Sequence, residues 1–381
     1  MENRYDWKFQ EKPDFERLRR VLKREEEPGY VPLMELFADA EIMAAVTGID
    51  YPCDRAVEIF NSAGKVLDGG DTELIELAVG LMDLSIAYSK IMNLDYVTMT
   101  PVVPMGKTPA RLAATLDDEN RARRAWHDEH RGLITTREEF EKFQWPSLDQ
   151  INIFPVEYAA SKMPEGMKVI IMYPGIFEDL KLLMGFETLA YASIDQPDLV
   201  EDILERLTEI AVYTVDMAAA HPALGAVFYG EDMGFATGTL MSPKFLRDFV
   251  VPRHRRIAEA CHRHDRLFLL HSCGHILDIM DDMIETVGID AKHSFEDKIL
   301  PVEEWYKKYN GRIGIIGGVD MDLLGRGTEE DVRRRTRQIL EACAPGGGYC
   351  AGTGNSVANY VKLENYYALV DETRRWNREY A

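Results

Sequence analysis

Apolar residues gather along this chain in short runs of six or seven positions, and the stretches between the runs show the wider apolar spacing of helices. Eight runs read as strands: VPLMEL (31–36), DYVTMT (95–100), KVIIMY (168–173), GAVFYG (225–230), RLFLLHS (266–272), IDAKHS (289–294), RIGIIGG (312–318) and GGYCAGT (347–353). Most are rich in β-branched or aromatic residues, as strands covered on both faces should be. Helix starts fall between them, at Asp71-Thr72, at Ser242-Pro243, and at Thr328 followed by Glu329, Glu330 and Asp331. Strand and helix alternating in this way predict an α/β fold of the (β/α)8 TIM-barrel type, with an open doubly wound sheet as the alternative.

Residues 1–381 are expected to form one barrel domain with a helical N-terminal extension. Residues 105–165 are too long for a simple strand-to-helix connection. Their tracts DDENRARRAWHDEH, TREEFEKF and WPSLDQINIFPVEYAASK predict a helical insertion after the second strand, over the C-terminal mouth of the barrel.

Charge and cysteine usage narrow the function classes. Lys and Arg number 44 against 65 Asp and Glu, a net charge of −21. Such a chain repels phosphate backbones, which argues against nucleic acid and anionic membranes as partners. No apolar run approaches the ~20 residues that span a bilayer, and the first twenty residues are charged throughout. Five cysteines at scattered positions do not form a disulfide framework. A cytoplasmic location is therefore expected, where thiolates stay available as metal ligands.

Barrel enzymes build their sites at the C-terminal ends of the strands. His271 and Cys273 stand two apart on an extended segment, so their side chains share a face. Cys350 falls near the end of the last strand and reaches the same mouth if the barrel closes. One imidazole and two thiolates suit Zn²⁺, with a fourth position left for a carboxylate, water or substrate. A buried structural pair is the plainer explanation of an isolated H-x-C. Gly317-Gly318 and Gly352-Thr353-Gly354 form a rival constellation, since barrels often bind phosphate beyond the last two strands.

Four stretches carry a resemblance: LHSCGHILDIMDDMIETVGIDAKHSFED (270–297), GGVDMDLLGRGTEEDVRRR (317–335), GGGYCAGTGNSVANYVKLENYYALVDETRRW (346–376) and MSPKFLRDFVVPRHRRI (241–257). In these the chain resembles the uroporphyrinogen decarboxylase superfamily, which implies a (β/α)8 barrel. True decarboxylases carry an arginine-rich stretch after the first strand to hold the carboxylates of the porphyrinogen. Here that place holds Met34-Glu35-Leu36-Phe37-Ala38-Asp39, with two acids and no cation. The H-x-C with a late cysteine is instead similar to the zinc-dependent, corrinoid-linked methyltransferases of the superfamily. That likeness implies zinc on His271, Cys273 and Cys350. Glu231, which ends the fourth of these strands beside that set, is the expected fourth, labile ligand, with Asp232 or Glu296 as its substitutes.

The activity implied is methyl transfer from an aryl methyl ether to the cob(I)alamin of a separate corrinoid protein, an O-demethylation. Tyr173, Tyr229 or Glu231 would supply a proton to the departing phenoxide, and Phe177, Phe228 and Phe235 would suit the ring of a methoxylated aromatic. A methylcobalamin:thiol methyltransferase of the coenzyme M type is the alternative and needs the same zinc ligands. A decarboxylase and a non-catalytic barrel rank below both. Arg121, Arg123 and Arg124 in the insertion are the expected docking residues for the corrinoid protein.

Overall fold

In a computed structural model of the chain, residues 12–61, 71–105, 111–114, 123–126 and 132–380 are described. The N-terminal helix Phe15–Lys23 follows the capping carboxylate of Asp14 and buries Phe15, Leu18, Val21 and Leu22, one helical face. That face closes the bottom of the barrel. Phe15 fills the space a side chain at Gly225 would need, and Leu22 fills that at Gly314.

Seven strands form the barrel wall in the order β1 (Tyr96–Met99), β4 (Lys168–Pro174), β5 (Leu224–Gly230), β6 (Leu267–His271), β7 (Ala291–His293), β8 (Gly314–Ile316) and β9 (Tyr349–Cys350). Every neighbouring pair is parallel. The helices between them have the expected starts. Asp71 caps Thr72–Ile91, and Thr328 opens Glu329–Cys343 with a capping box. A helical stretch from Pro243 to His262 includes a π-turn at Leu246–Val250.

Two expectations need correction. The run VPLMEL forms no regular strand. It lies extended beside the last strand through the bridges Leu33–Ala351 and Ala38–Val357. Toward β1 its partners are side chains: the Tyr96 hydroxyl accepts from Glu35 N–H at 2.6 Å and donates to the Glu35 carbonyl at 2.7 Å. Pro32 has no N–H to give a ladder, and phenol and hydroxyl groups close the eighth position in its place.

The insertion is not wholly helical either. Arg111–Ala114 (β2) pairs antiparallel with Arg123–Trp126 (β3), the second of these inside a tract read as helix. Strong helix formers without an apolar stripe have no face to bury, so tertiary pairing overrides propensity. Helices do form at Arg137–Lys142 and Phe154–Lys162. Arg121 lies outside the described residues, as do the side chains of Arg123 and Arg124.

Candidate metal centre

Parallel register sets which side chains enter the barrel. Gly230, His271, His293, Ile316 and Cys350 are partners along successive strands, so all face the same way. Their neighbours Tyr229, Leu270, Lys292, Ile315 and Tyr349 face the helices. Past Gly230 the alternation turns Glu231 outward and Asp232 inward, beside the two residues that end β6.

Asp232, His271 and Cys273 thereby converge at the C-terminal mouth, each offering a ligand atom within 4.8 Å of the others. His271 Nε2 lies 3.4 Å from Cys273 Sγ and 3.5 Å from Asp232 Oδ1. The Cys273 N–H donates to Asp232 Oδ1 at 2.8 Å. The loops carrying them touch through glycines. Gly274, at φ +74°, lies so near Gly234 that a Cβ on either would strike the backbone of the other loop, and Phe235 pairs with His275 just beyond.

Two donors aim at the sulfur: Asn355 Nδ2 at 3.2 Å and Ser294 Oγ at 3.4 Å. Burial pushes the Cys273 thiol up, and the Asp232 charge adds to this, while the Ser294 and Asn355 donors pull it back. For Asp232 burial also opposes the charge, but His271 and the Cys273 N–H outweigh it and hold the carboxyl below its usual range. A sulfur, an imidazole nitrogen and a carboxylate oxygen within reach of one another, with donors already turned to the sulfur, fit a Zn²⁺-like ion.

His271 Nδ1 faces His293 Nδ1 at 2.8 Å, and His293 Nε2 lies 3.3 Å from the Thr353 carbonyl oxygen. Thr353 in turn donates its N–H, at 3.1 Å, and its hydroxyl, at 2.6 Å, to the Glu35 carboxyl group. Burial pushes Glu35 up to about 8, against the pull of the Thr353 donors. Behind the site Lys292 is fully buried, lying over the Phe295 and Trp305 rings and donating to the carbonyls of Ser272, His293 and Ser294. Burial lowers its pKa to about 7.

The remaining sequence candidates stand elsewhere. Cys350 faces the interior but lies deeper, and the charge that reaches its thiol is that of Asp95, just ahead of β1. It is three residues short of Thr353, whose carbonyl meets His293, a climb of roughly 10 Å. Glu231 is wholly buried on the outer side. Its carboxylate accepts from His254 Nε2 at 2.8 Å and from the N–H groups of Phe177 and Glu178, which open the helix Ile176–Met184. Gly175 leaves the room for it, since a Cβ there would fall 2.0 Å from Glu231 Oε2. Tyr173 and Tyr229 stack on the same outer side, with burial raising both phenols. Phe177 packs outward on Phe245. Phe228 stands edge-on to His293 inside the barrel, and Phe235 is 64% exposed at the rim.

The sequence reading did not single out Ser294 or Asn355. Ser294 reaches the sulfur from a left-handed backbone (φ +83°), which a serine does not advertise. Asn355 lies in a glycine-rich turn, where an asparagine reads as a turn residue first.

Known proteins resemble this chain in sequence and in fold. A methylated-thiol–coenzyme M methyltransferase of Methanosarcina mazei is 29% identical over 241 residues, 60% of this chain and 61% of that protein. The chain thus spans about three fifths of that relative's length. A solved methyltransferase from Methanosarcina mazei superposes with a TM-score of 0.67 at 19% identity, covering 96% of this chain and 98% of that one, a likeness of fold. The family model described as uroporphyrinogen decarboxylase (URO-D) matches residues 134–376, from the insertion through every strand that contributes to the cluster. The chain belongs to the uroporphyrinogen decarboxylase (URO-D) family.

Proposed function

We propose that this chain is a zinc-dependent methyltransferase. It moves the methyl group of an aryl methyl ether to the cob(I)alamin of a separate corrinoid protein. The observation that carries the reading is the Asp232–His271–Cys273 cluster at the barrel mouth. Bound by these three residues, Zn²⁺ would supply a Lewis acid that stabilises the charge of a departing oxygen or sulfur. Cys350 and Glu231 are left out of this ligand set because of their placement.

The chain's own residues do the rest. Phe235, exposed at the rim, offers aromatic surface to a ring. The proton for the departing phenoxide comes from Glu178. Burial pushes its carboxyl up to about 8, against the pull of the Lys181 ammonium. Lys181 Nζ joins it to the site, donating to Glu178 Oε1 and, at 3.2 Å, to the Asp232 carbonyl. Tyr173, Tyr229 and Glu231 lose that role to it. The insertion leaves from the C-terminal end of β1, the end of the barrel that holds the cluster, and we assign it the docking of the corrinoid protein. Decarboxylation is not assigned: the stretch Met34–Asp39 carries Glu35 and Asp39 and no cation for an anionic tetrapyrrole.

A second reading, methylcobalamin:thiol methyl transfer, is favoured by the name of the Methanosarcina mazei relative and uses the same cluster. One assay separates the two. The zinc-loaded protein is mixed with cob(I)alamin and a panel of methoxyarenes, and in parallel with methylcobalamin and small thiols including coenzyme M. Methylcobalamin absorbance appearing with a methoxyarene supports the first reading. Loss of that absorbance only with a thiol replaces it by the second, and silence in both arms defeats methyl transfer altogether.

A further inference from the structure

We propose that His293 is a positioning residue that sets the tautomer of His271. It holds a proton on His271 Nδ1 and leaves Nε2 to present its lone pair toward Cys273 and Asp232. The two Nδ1 atoms stand 2.8 Å apart, a separation that requires one proton between them. Which ring owns it is decided at the far side of His293. There Nε2 faces the Thr353 carbonyl at 3.3 Å, and a carbonyl can only accept, so Nε2 carries a hydrogen. A second proton on this ring is opposed by its surroundings. His293 is wholly buried and its ring edge meets Phe228, so a charged ring would lie out of reach of water. A neutral ring with Nε2–H has a bare Nδ1. The shared proton therefore belongs to His271, and any further proton or ion on His271 sits at Nε2.

The anchor is built in. Gly317, at φ +84°, leaves room for the His293 ring, because a Cβ there would stand 3.2 Å from Nε2 and 2.3 Å from the Thr353 carbonyl oxygen. Thr353 is itself held by Glu35. A polar chain Glu35–Thr353–His293–His271 thus crosses the barrel interior and ends at the cluster. The hydrogen bond on the outer nitrogen of a ligand histidine fixes the ring and raises its basicity. That consequence for a metal ion rests on the zinc reading above, whereas the tautomer does not.

The test uses full-length, metal-free protein labelled with ¹⁵N-histidine, at a pH alkaline enough for neutral imidazoles. Two-bond ¹H–¹⁵N correlations read each tautomer directly. In the native protein His293 is expected as Nε2–H and His271 as Nδ1–H. In His293→Phe, which has no acceptor, His271 reverts to Nε2–H, the form an unconstrained histidine prefers. In His293→Asn, whose amide oxygen can stand where Nδ1 stood, His271 stays Nδ1–H. Zinc affinity by chelator competition should fall about 10–100-fold in His293→Phe and far less in His293→Asn. His271 found as Nε2–H in the native protein, or unchanged as Nδ1–H in His293→Phe, overturns the proposal. Expected tautomers in a protein that binds no zinc uphold it and overturn the metal reading instead.

Discussion

Glu231 separates a ligand from a structural group, and its removal can be worked through from the contacts. In Glu231→Ala, His254 Nε2 and the N–H groups of Phe177 and Glu178 lose their acceptor in a place where Glu231 is 0% and His254 1% exposed. An unpaired buried donor costs about 1–3 kcal/mol, and breaking one side of a buried pair typically costs about 3–5 kcal/mol. Some of the charge-burial penalty is relieved at the same time, so a loss of about 4 kcal/mol is expected. That is a large share of the ~5–15 kcal/mol of an ordinary domain. Glu231→Gln keeps one acceptor oxygen and should lose about half as much. Urea unfolding followed by far-UV circular dichroism measures the stability, and elemental analysis of the folded fraction measures zinc. The expected result is lower stability with zinc retained. A variant within ~1 kcal/mol of the parent that has lost its zinc would return Glu231 to the ligand set and refute the outward placement.

The other predictions follow from the same contacts. Gly175→Ala drives a methyl into the Glu231 carboxylate, which is walled in by His254 and the helix start, so the urea midpoint should fall at least as far as in Glu231→Gln. A midpoint equal to that of the parent would show that the pair can move aside. Glu35 is raised from 4.5 to about 8, so the folded state holds a proton that the unfolded state gives up between those values. Its contribution is therefore complete below pH ~4.5 and is lost as pH climbs toward ~8, by about 5 kcal/mol as an order of magnitude. Glu35→Gln should flatten the fall in stability between pH 5 and 8, and a fall as steep as the parent's would mean that Glu35 is ionised in the folded protein.

Much of this arrangement was legible in the chain and some was hidden for physical reasons. Seven of the eight runs became strands because their apolar character matches burial on both faces. The eighth, VPLMEL, has the right composition, but closing it against β1 through the Tyr96 hydroxyl is a tertiary event that no local pattern encodes. The H-x-C pair was visible because a period of two needs no knowledge of neighbours. The third member of the cluster, Asp232, entered only as a substitute for Glu231. Choosing Asp232 over Glu231 requires the register Gly230–His271, since a shift of one residue exchanges inward and outward faces. Cys350 stands outside the cluster for a related reason: it shares the inward face, but the height in the barrel depends on strand stagger. The partners of the sulfur, Ser294 and Asn355, come from loops whose path the apolar pattern does not describe.

On the proposed reading Asp232, His271 and Cys273 bind the metal and Cys350 does not. Zinc per chain in Cys273→Ser beside Cys350→Ser, both purified folded, tests it most directly. About one zinc in the parent and in Cys350→Ser, with a sharp loss in Cys273→Ser, is the result expected of a three-ligand site. Equal loss of zinc from both variants would contradict it, because a thiol near Asp95 at the foot of β1 would then have to reach the mouth.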